Sequence, residues 1–272
     1  MRGEEYNFDK KPQFIKSLFN SISKDYDKLN NIMTFGLHKK IKKEVIAGFN
    51  LDLNYVVGGE TPTYDNNPCG RSGIPARQLK ILDLCTGTGD LAGMLKEKFP
   101  NSHITGIDFS AEMLEIAREK YGKSRLGLPP QQQNASLPDI EFLEADCSQL
   151  PFDDESFDLC VISFGLRNVE NIQKVLNEIY RVLKAGGIFI NLDLGKPKKF
   201  FNFFLKPYLY LWVSFLGKFF HGDETPYKYL AVSNETFPSQ TELVKIFEKT
   251  GFFNVKNKNY LSGQIASQIC QK

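Results

Sequence analysis

The sequence predicts an α/β fold with a doubly wound, mainly parallel sheet. From residue 80 onward, short apolar runs alternate with amphipathic helical segments, a pattern typical of βαβ units. A glycine turn at 87–89 directly follows the first of these runs, and Asp108 closes the next run, 19 residues after Gly89. Strand, glycine turn, helix and a second acid in this order indicate a site for a nucleotide-like ligand.

Each element of the predicted sheet follows from its own local pattern. The strands are short apolar runs, expected over 80–85, 103–108, 140–145, 157–164 and 187–194. The helices have apolar residues three and four positions apart and are expected over 90–98, 110–121 and 171–184. Asp90 and Ser110 stand where the first two helices begin, and we expect both to act as N-caps.

The remaining segments have a different character. Residues 14–49 show apolar side chains at helical spacing, interrupted by a polar turn around 25–31. Residues 54–78 and 122–139 are rich in glycine, proline and amide side chains, which predicts loop insertions. Residues 200–221 are rich in aromatic side chains, and their uninterrupted apolar stretch is too short to span a bilayer.

We expect these segments to belong to one domain. Its predicted parts are an N-terminal helical lid (14–50), two loop insertions (54–78 and 122–139), a cofactor-binding core (80–194), a helical substrate cover (196–235), and a C-terminal helix with the last strands (236–272).

Composition narrows the class of protein. A formal net charge of +2 excludes a nucleic-acid binder that acts through bulk positive charge. The five cysteines form no CxxC pair, which favours reduced thiols in a cytosolic protein. The first 20 residues lack the continuous apolar region of a secretory signal. We therefore expect an intracellular protein.

Carboxylates near the glycine turn bear on the identity of the ligand. Gly87, Gly89 and Ala92 satisfy the relaxed dinucleotide pattern, so a nicotinamide-dependent oxidoreductase is one alternative. However, Asp83 and Asp90 flank the turn and would repel a pyrophosphate. They suit S-adenosylmethionine, which is cationic and has no phosphate. Asp146 follows the third strand, where it can meet an adenine amino group.

At this point the chain resembles class I S-adenosylmethionine-dependent methyltransferases and, more narrowly, the ubiquinone/menaquinone biosynthesis C-methyltransferase family. Besides the glycine turn, four stretches carry the resemblance: 24–38 (KDYDKLNNIMTFGLH), 162–169 (ISFGLRNV), 180–187 (YRVLKAGG) and 227–230 (YKYL). Two positions depart from the family pattern. Ile41 stands where tryptophan is usual, and Asp193 stands where glutamate is usual.

The resemblance implies a seven-stranded sheet whose last strand, near 263–270, is antiparallel. It also implies S-adenosylmethionine as co-substrate, with no metal. The residues that it predicts to contact the cofactor are Gly87, Thr88, Asp108, Asp146, Cys147 and Ser163.

The reaction implied is C-methylation of the quinol ring of demethylmenaquinol, or of the equivalent ubiquinone precursor. Arg167 is a candidate to stabilise the phenolate, and Asn168 to hydrogen-bond a ring oxygen. Tyr26, Asp27 and His38 are candidates for a polar lid, with His38 a plausible base because its ordinary pKa lies near neutrality. A non-catalytic assembly subunit is a further alternative.

The expected partner is a polyprenyl quinol and not nucleic acid. The aromatic segment 200–221 suits the polyprenyl tail and a peripheral contact with the inner face of the membrane. The same segment also suits a buried helical cover over the sheet. We also expect the protein to be cytoplasmic and to form a homodimer.

Overall fold

A seven-stranded sheet forms the centre of the molecule. The computed structural model describes residues 11–34, 36–48, 78–122, 140–197, 229, 233–234 and 236–272. The strands are β1 (Lys80–Leu84), β2 (His103–Asp108), β3 (Ile140–Glu144), β4 (Phe157–Ser163), β5 (Leu183–Leu194), β6 (Phe253–Tyr260) and β7 (Ile265–Gln271). Their order across the sheet is β3-β2-β1-β4-β5-β7-β6.

The strand directions define the ligand-binding edge of this sheet. Strands β1 to β5 pair in parallel, whereas β7 is antiparallel to both β5 and β6. Only β7 is therefore reversed, and the predicted doubly wound sheet with an antiparallel last strand is confirmed. The chain order changes direction between the neighbours β1 and β4, and in such sheets ligands bind beyond the carboxyl ends of the strands at that point.

Helices cover both faces of the sheet because side chains of a strand alternate between them. The helices are α1 (Lys11–Ile22), α2 (Tyr26–Thr34), α3 (Leu37–Gly48), α4 (Asp90–Lys98), α5 (Ala111–Tyr121), α6 (Ile172–Val182) and α7 (Gln240–Thr250). Ile81 of β1 packs in a core with α3, α4 and α5. Leu82 and Leu84 pack in a second core with α6 and α7. Burial of these apolar stripes supplies most of the stabilisation of the helices.

The structure tests the two predicted helix N-caps. Ser110 is confirmed, because its Oγ accepts a hydrogen bond from the Met113 backbone N–H at 3.2 Å. The prediction for Asp90 is wrong: the N-cap is Gly89, whose φ of 79° lies in the left-handed region, and Asp90 is the first helical residue. A carboxylate in the first helical turn is still favourable, because it faces the positive end of the helix dipole.

The predicted polar turn around 25–31 is also wrong. A short 3-10 helix at Ser23–Asp25 leads directly into α2, which contains most of that range. Lys28 is exposed on α2 and Asp27 lies in its first turn, where polar side chains are compatible with a helix. Polarity alone therefore did not indicate a turn.

Several predicted segments lie outside the described residues. These include nearly all of both loop insertions, 54–78 and 122–139, and the whole aromatic segment 200–221. Their roles stay predictions. Within the described part of the chain, no helix is long and apolar enough to cross a membrane.

Candidate active site

A cavity of about 250 Å³ lies beyond the carboxyl ends of β1, β2, β3 and β4. The loops after these strands form its floor and sides, and Ile15, Phe19 and Tyr26 of the N-terminal helices contribute to its wall. Among the side chains and backbone that line it are seven of the predicted site residues: Tyr26, Gly87, Asp108, Asp146, Cys147, Ser163 and Asn168. The sheet thus brings residues from distant parts of the sequence to one place.

The glycine turn and Asp108 are joined directly. The Gly87 backbone N–H donates to Asp108 Oδ2 at 2.9 Å, and the Ser110 N–H donates to Oδ1 at 3.0 Å. Burial raises the pKa of Asp108, and the backbone N–H donors oppose this effect. Each carboxylate oxygen has a second lone pair, so the carboxylate can still accept hydrogen bonds from the two hydroxyls of a ribose.

Both the backbone conformation and the packing around position 89 require glycine there. It adopts a φ of 79°, and a Cβ placed there would lie 3.0 Å from both the Phe142 and Tyr121 rings. Any larger residue would therefore displace side chains that support the turn. This explains the second glycine of the turn in physical terms.

Asp146 is held in a defined orientation at the cavity wall. Its Oδ1 accepts from the Ser148 backbone N–H at 2.8 Å, and its Oδ2 accepts from the Ser148 hydroxyl, also at 2.8 Å. The neighbouring Ala145 N–H donates to the Asp108 carbonyl oxygen at 3.0 Å, which links the loops after β2 and β3. A fixed acceptor of this kind suits an adenine amino group.

Ser163, the last residue of β4, presents a buried hydroxyl to the cavity. No hydrogen-bond partner for its Oγ exists among the described residues. An unpaired buried polar atom costs about 1–3 kcal/mol. A polar ligand that bonds this hydroxyl would recover that energy, so the donor and acceptor set of the cavity fits a nucleoside-containing co-substrate.

Two non-glycine residues at the cavity have left-handed backbone conformations. Cys85, after β1, has a φ of 54°, and Phe164, after β4, has a φ of 57°. Such conformations cost about 1–3 kcal/mol and are concentrated at functional sites. Both residues line the cavity, although no local sequence pattern predicts either conformation.

Arg167 is buried behind the cavity rather than in its wall. Its Nη1 donates to Asp193 Oδ1 at 2.7 Å and to the Phe164 carbonyl oxygen at 2.6 Å. Asp193 also accepts the Arg167 backbone N–H through Oδ2 at 3.1 Å. The side chains are only 6% and 1% exposed, so this ion pair is shielded from water. The pair fixes the short 3-10 helix at Leu166–Asn168.

Asn168 and Tyr26 provide polar groups in the wall itself. Asn168 donates through Nδ2 to the Phe164 carbonyl oxygen at 3.2 Å and accepts from the Tyr229 hydroxyl through Oδ1 at 3.3 Å. Burial raises the pKa of Tyr26, and the nearby positive charge of Arg167 partly offsets this. Tyr26 is therefore a neutral hydrogen-bonding group at pH 7.

Thr88 and His38 do not line the cavity. The Thr88 hydroxyl donates to Asp27 Oδ1 at 2.7 Å, which ties the glycine turn to α2. His38 is 6% exposed, and its Nδ1 lies 2.6 Å from the Thr34 hydroxyl oxygen. Thr34 already donates its hydrogen to the Asn30 carbonyl oxygen, so we assign the imidazole proton to Nδ1. Burial and nearby lysines lower the pKa of His38 to about 4.

The two acids expected to face a cationic ligand lie elsewhere, which corrects that expectation. Asp83 is 1% exposed and accepts from the Thr86 hydroxyl at 2.6 Å, and burial raises its pKa to about 7. Asp90 forms ion pairs with Lys120 and Lys39. Asp83 is therefore satisfied by a near neighbour in the sequence, whereas the partners of Asp90 are distant in sequence and cannot be read from a local pattern.

The wall also contains residues that the sequence did not single out. They include Ile15, Phe19, Phe109, Phe164 and Cys85. On α1 the apolar residues follow the same spacing that core residues follow, so their position at a cavity could not be distinguished from ordinary burial.

Sheet order, the reversed β7 and the carboxyl-edge cavity define a class I S-adenosylmethionine-dependent methyltransferase fold. Two solved structures share it over nearly the whole chain. A methyltransferase described as a possible histamine N-methyltransferase from Thermotoga maritima has a TM-score of 0.58 and 19% identity, covering 94% of this chain and 99% of that one. A putative methyltransferase from Haloferax volcanii, solved with the Trm112 activator, has a TM-score of 0.58 and 16% identity, with coverages of 93% and 96%.

Sequence comparison narrows the class further. The model of the ubiE/COQ5 methyltransferase family matches residues 7–272, so the chain belongs to that family. A demethylmenaquinone methyltransferase from Leptospira interrogans is 35% identical over 265 residues, covering 96% of this chain and 94% of the relative. A protein of the same name from Staphylococcus aureus is 33% identical over 260 residues, covering 95% and 92%. The resemblance drawn from the sequence motifs is confirmed.

Proposed function

We propose that the protein transfers the methyl group of S-adenosylmethionine to a ring carbon of demethylmenaquinol, which gives menaquinol. The observation that carries this proposal is the cavity in which Asp108, Asp146 and Ser163 meet Asn168 and Tyr26. The names of the Leptospira and Staphylococcus relatives support the choice of substrate.

Three residues would hold the co-substrate. The Asp108 carboxylate would accept the ribose hydroxyls, and Asp146 beside Cys147 would bind the adenine. The Ser163 hydroxyl would find its missing partner on the amino-acid end of the molecule. S-adenosylmethionine supplies a methyl group on a sulfonium, an already activated leaving group, so alignment of the acceptor is the main task of the protein.

Asn168 and Tyr26 would align the quinol. Both present polar groups to the cavity, and the Tyr229 hydroxyl and Phe164 carbonyl fix the amide of Asn168. The Arg167 guanidinium lies behind this wall, where the Asp193 carboxylate balances its charge, so it would act by positioning the segment that carries Asn168. His38 lies outside the cavity wall, and we assign it no proton-transfer role.

We propose that α1 and α2 act as a lid over the site. Polar contacts join these helices to the strand ends: Ser110 Oγ donates to Asn20 Oδ1 at 2.7 Å, Lys16 pairs with Glu144 at 2.8 Å, and Thr88 bonds Asp27. Phe109 also packs against the apolar residues of α1. Polar contacts of this kind can exchange for contacts with water, which suits an element that opens to admit a ligand.

The tail of the quinol would follow the aromatic segment 200–221, where the protein would also meet the membrane surface. Its composition supports this proposal. Replacing Phe204 and Trp212 by serine should reduce activity on a long-tailed quinol more than on a tailless analogue. Equal losses on the two substrates would remove the support for a tail groove.

Methyl transfer from labelled S-adenosylmethionine tests the proposed reaction. The acceptors are chemically reduced demethylmenaquinone, the same quinone left oxidised, and a reduced ubiquinone precursor. We expect label only in the reduced menaquinone precursor. Label in both reduced acceptors would indicate a dual-pathway enzyme, and label in none, with cofactor still bound, would overturn the substrate.

A further inference from the structure

Two cysteine thiols face the same cavity from different loops. Cys85 follows β1 and Cys147 follows β3, and they are 62 residues apart in the sequence. Their side chains pack against the same core cluster, and Cys147 is near enough to Cys85 to raise the pKa of the Cys85 thiol. Both are free and partly exposed. The proposed methyl transfer uses neither sulfur, because its leaving group needs no nucleophile from the protein.

The surroundings hold this thiol pair together. Cys85 has a left-handed backbone conformation with a φ of 54°. A Cβ added at Gly165 would come within 2.6 Å of Cys85 Cβ and 2.9 Å of its Sγ, so the space behind the thiol is filled. Cys147 lies between Asp146 and Ser148, which are joined by two hydrogen bonds. The space behind Cys85 is therefore filled, and the turn that carries Cys147 is held by its neighbours.

We propose that Cys85 and Cys147 form a dithiol modification site, which a quinone oxidises to an intramolecular disulfide that prevents cofactor binding. The choice of a quinone as oxidant rests on the proposed function. Two S–H bonds break and one S–S bond forms. The two electrons and two protons pass to the quinone oxygens, which leaves a quinol.

The chemistry of the two thiols suits this step. The interaction with the neighbouring Cys147 thiol, and then burial, raise the pKa of the Cys85 thiol well above its ordinary value. Cys85 is therefore a neutral thiol at pH 7, as suits the partner that reacts second. Quinones are two-electron oxidants, and the oxidised form of the proposed substrate would reach this cavity by the same route as the quinol.

A disulfide here would change the binding site directly. It would fix the two sulfurs ~2.05 Å apart and so join the loops after β1 and β3 covalently. Gly87 lies two residues beyond Cys85, and Asp146 is adjacent to Cys147. Both loops carry proposed cofactor contacts, so oxidation should weaken S-adenosylmethionine binding by about tenfold or more.

The test uses the reduced full-length chain with two oxidants. Diamide is a general two-electron thiol oxidant. The second oxidant is a naphthoquinone whose open ring positions both carry methyl groups, which prevents thiol addition to the ring. Intact mass and peptide mapping would show which cysteines are joined, and calorimetry would measure S-adenosylmethionine binding before oxidation, after it, and after dithiothreitol treatment.

We expect each oxidant to lower the mass of the protein by two hydrogens and to join the Cys85 and Cys147 peptides. S-adenosylmethionine binding should be lost on oxidation and restored by dithiothreitol. A Cys69→Ala variant should behave in the same way, since Cys69 plays no part in the proposal. Cys85→Ala and Cys147→Ala should not form the bridge. The mapping on the unaltered chain keeps the test valid if either variant fails to fold.

Three results would overturn the proposal: no bridge with either oxidant, a bridge that includes Cys69, or a bridge that leaves binding unchanged. A bridge with diamide but not with the quinone would overturn the assignment of the oxidant. None of these readouts needs methyl transfer. Failure of the proposed reaction, with cofactor binding intact, is therefore distinguishable from failure of the dithiol proposal.

Discussion

Arg167 and Asp193 form a buried ion pair in which Nη1 donates to Oδ1 at 2.7 Å and the Arg167 backbone N–H donates to Oδ2 at 3.1 Å. One carboxylate thus holds both the guanidinium and the backbone of the segment that carries Asn168. Removing the charge of one partner leaves the other buried and uncompensated, which typically costs about 3–5 kcal/mol. The pair is therefore a structural support of the proposed acceptor side of the site.

Asp193→Asn should lower kcat for methyl transfer by about tenfold or more, because Arg167 loses the carboxylate that positions it. The S-adenosylmethionine affinity should change by less than about threefold, since Asp193 does not line the cavity. Steady-state kinetics and calorimetry measure the two quantities. Asp193→Glu, which restores a carboxylate, is the matched control, and an Asn variant with normal kcat would contradict this account.

Asp108→Asn should weaken S-adenosylmethionine binding by about 10–100-fold, which corresponds to the loss of charge-assisted hydrogen bonds to the ribose. Asparagine keeps only one of the two oxygens that accept from the Gly87 and Ser110 N–H groups, so the free energy of unfolding of the apo protein should also fall by about 1–3 kcal/mol. Calorimetry and urea unfolding measure the two effects separately. Normal S-adenosylmethionine binding by a folded variant would contradict the assignment of Asp108 to the ribose.

Thr88→Val should loosen the lid, because it removes the hydroxyl that bonds Asp27 across 2.7 Å while keeping the shape of the side chain. We expect faster amide hydrogen exchange in 11–34 and weaker S-adenosylmethionine binding. Thr250→Val is the matched control, since Thr250 bonds Gln173 and Ile246 instead. Unchanged exchange in 11–34 would argue against a latch at Thr88.

His38 should make stability dependent on pH. Its pKa is about 4 in the folded state against an ordinary 6.5, so the unfolded chain binds a proton first as the pH falls. The free energy of unfolding should therefore decrease from pH 6.5 to pH 4, by up to about 3 kcal/mol from this group. Urea unfolding of the wild type and of His38→Asn should diverge over that range. Equal slopes would contradict the shift, and a large loss of activity in His38→Asn would restore the case for a catalytic histidine.

Much of the fold and part of the site could be predicted from the sequence, for a physical reason. Buried parallel strands are continuous apolar runs, so β1 to β5 were visible, and residues at their carboxyl ends must meet at one edge. This pattern brought Asp108 and Asp146 to one edge and the family resemblance added Ser163, and all three line the cavity. Thr88 and Asp27 are 61 residues apart, and Arg167 and Asp193 are 26 apart. Pairing over such separations depends on tertiary structure, which no local pattern encodes.

The structure of the protein with S-adenosylhomocysteine tests the central claim most directly, because that product occupies the same site as the co-substrate. We predict that its ribose hydroxyls bond Asp108, its adenine lies beside Asp146 and Cys147, and its sulfur faces Asn168. A molecule bound outside the cavity at the carboxyl ends of β1 to β4, or a ribose away from Asp108, would contradict the account.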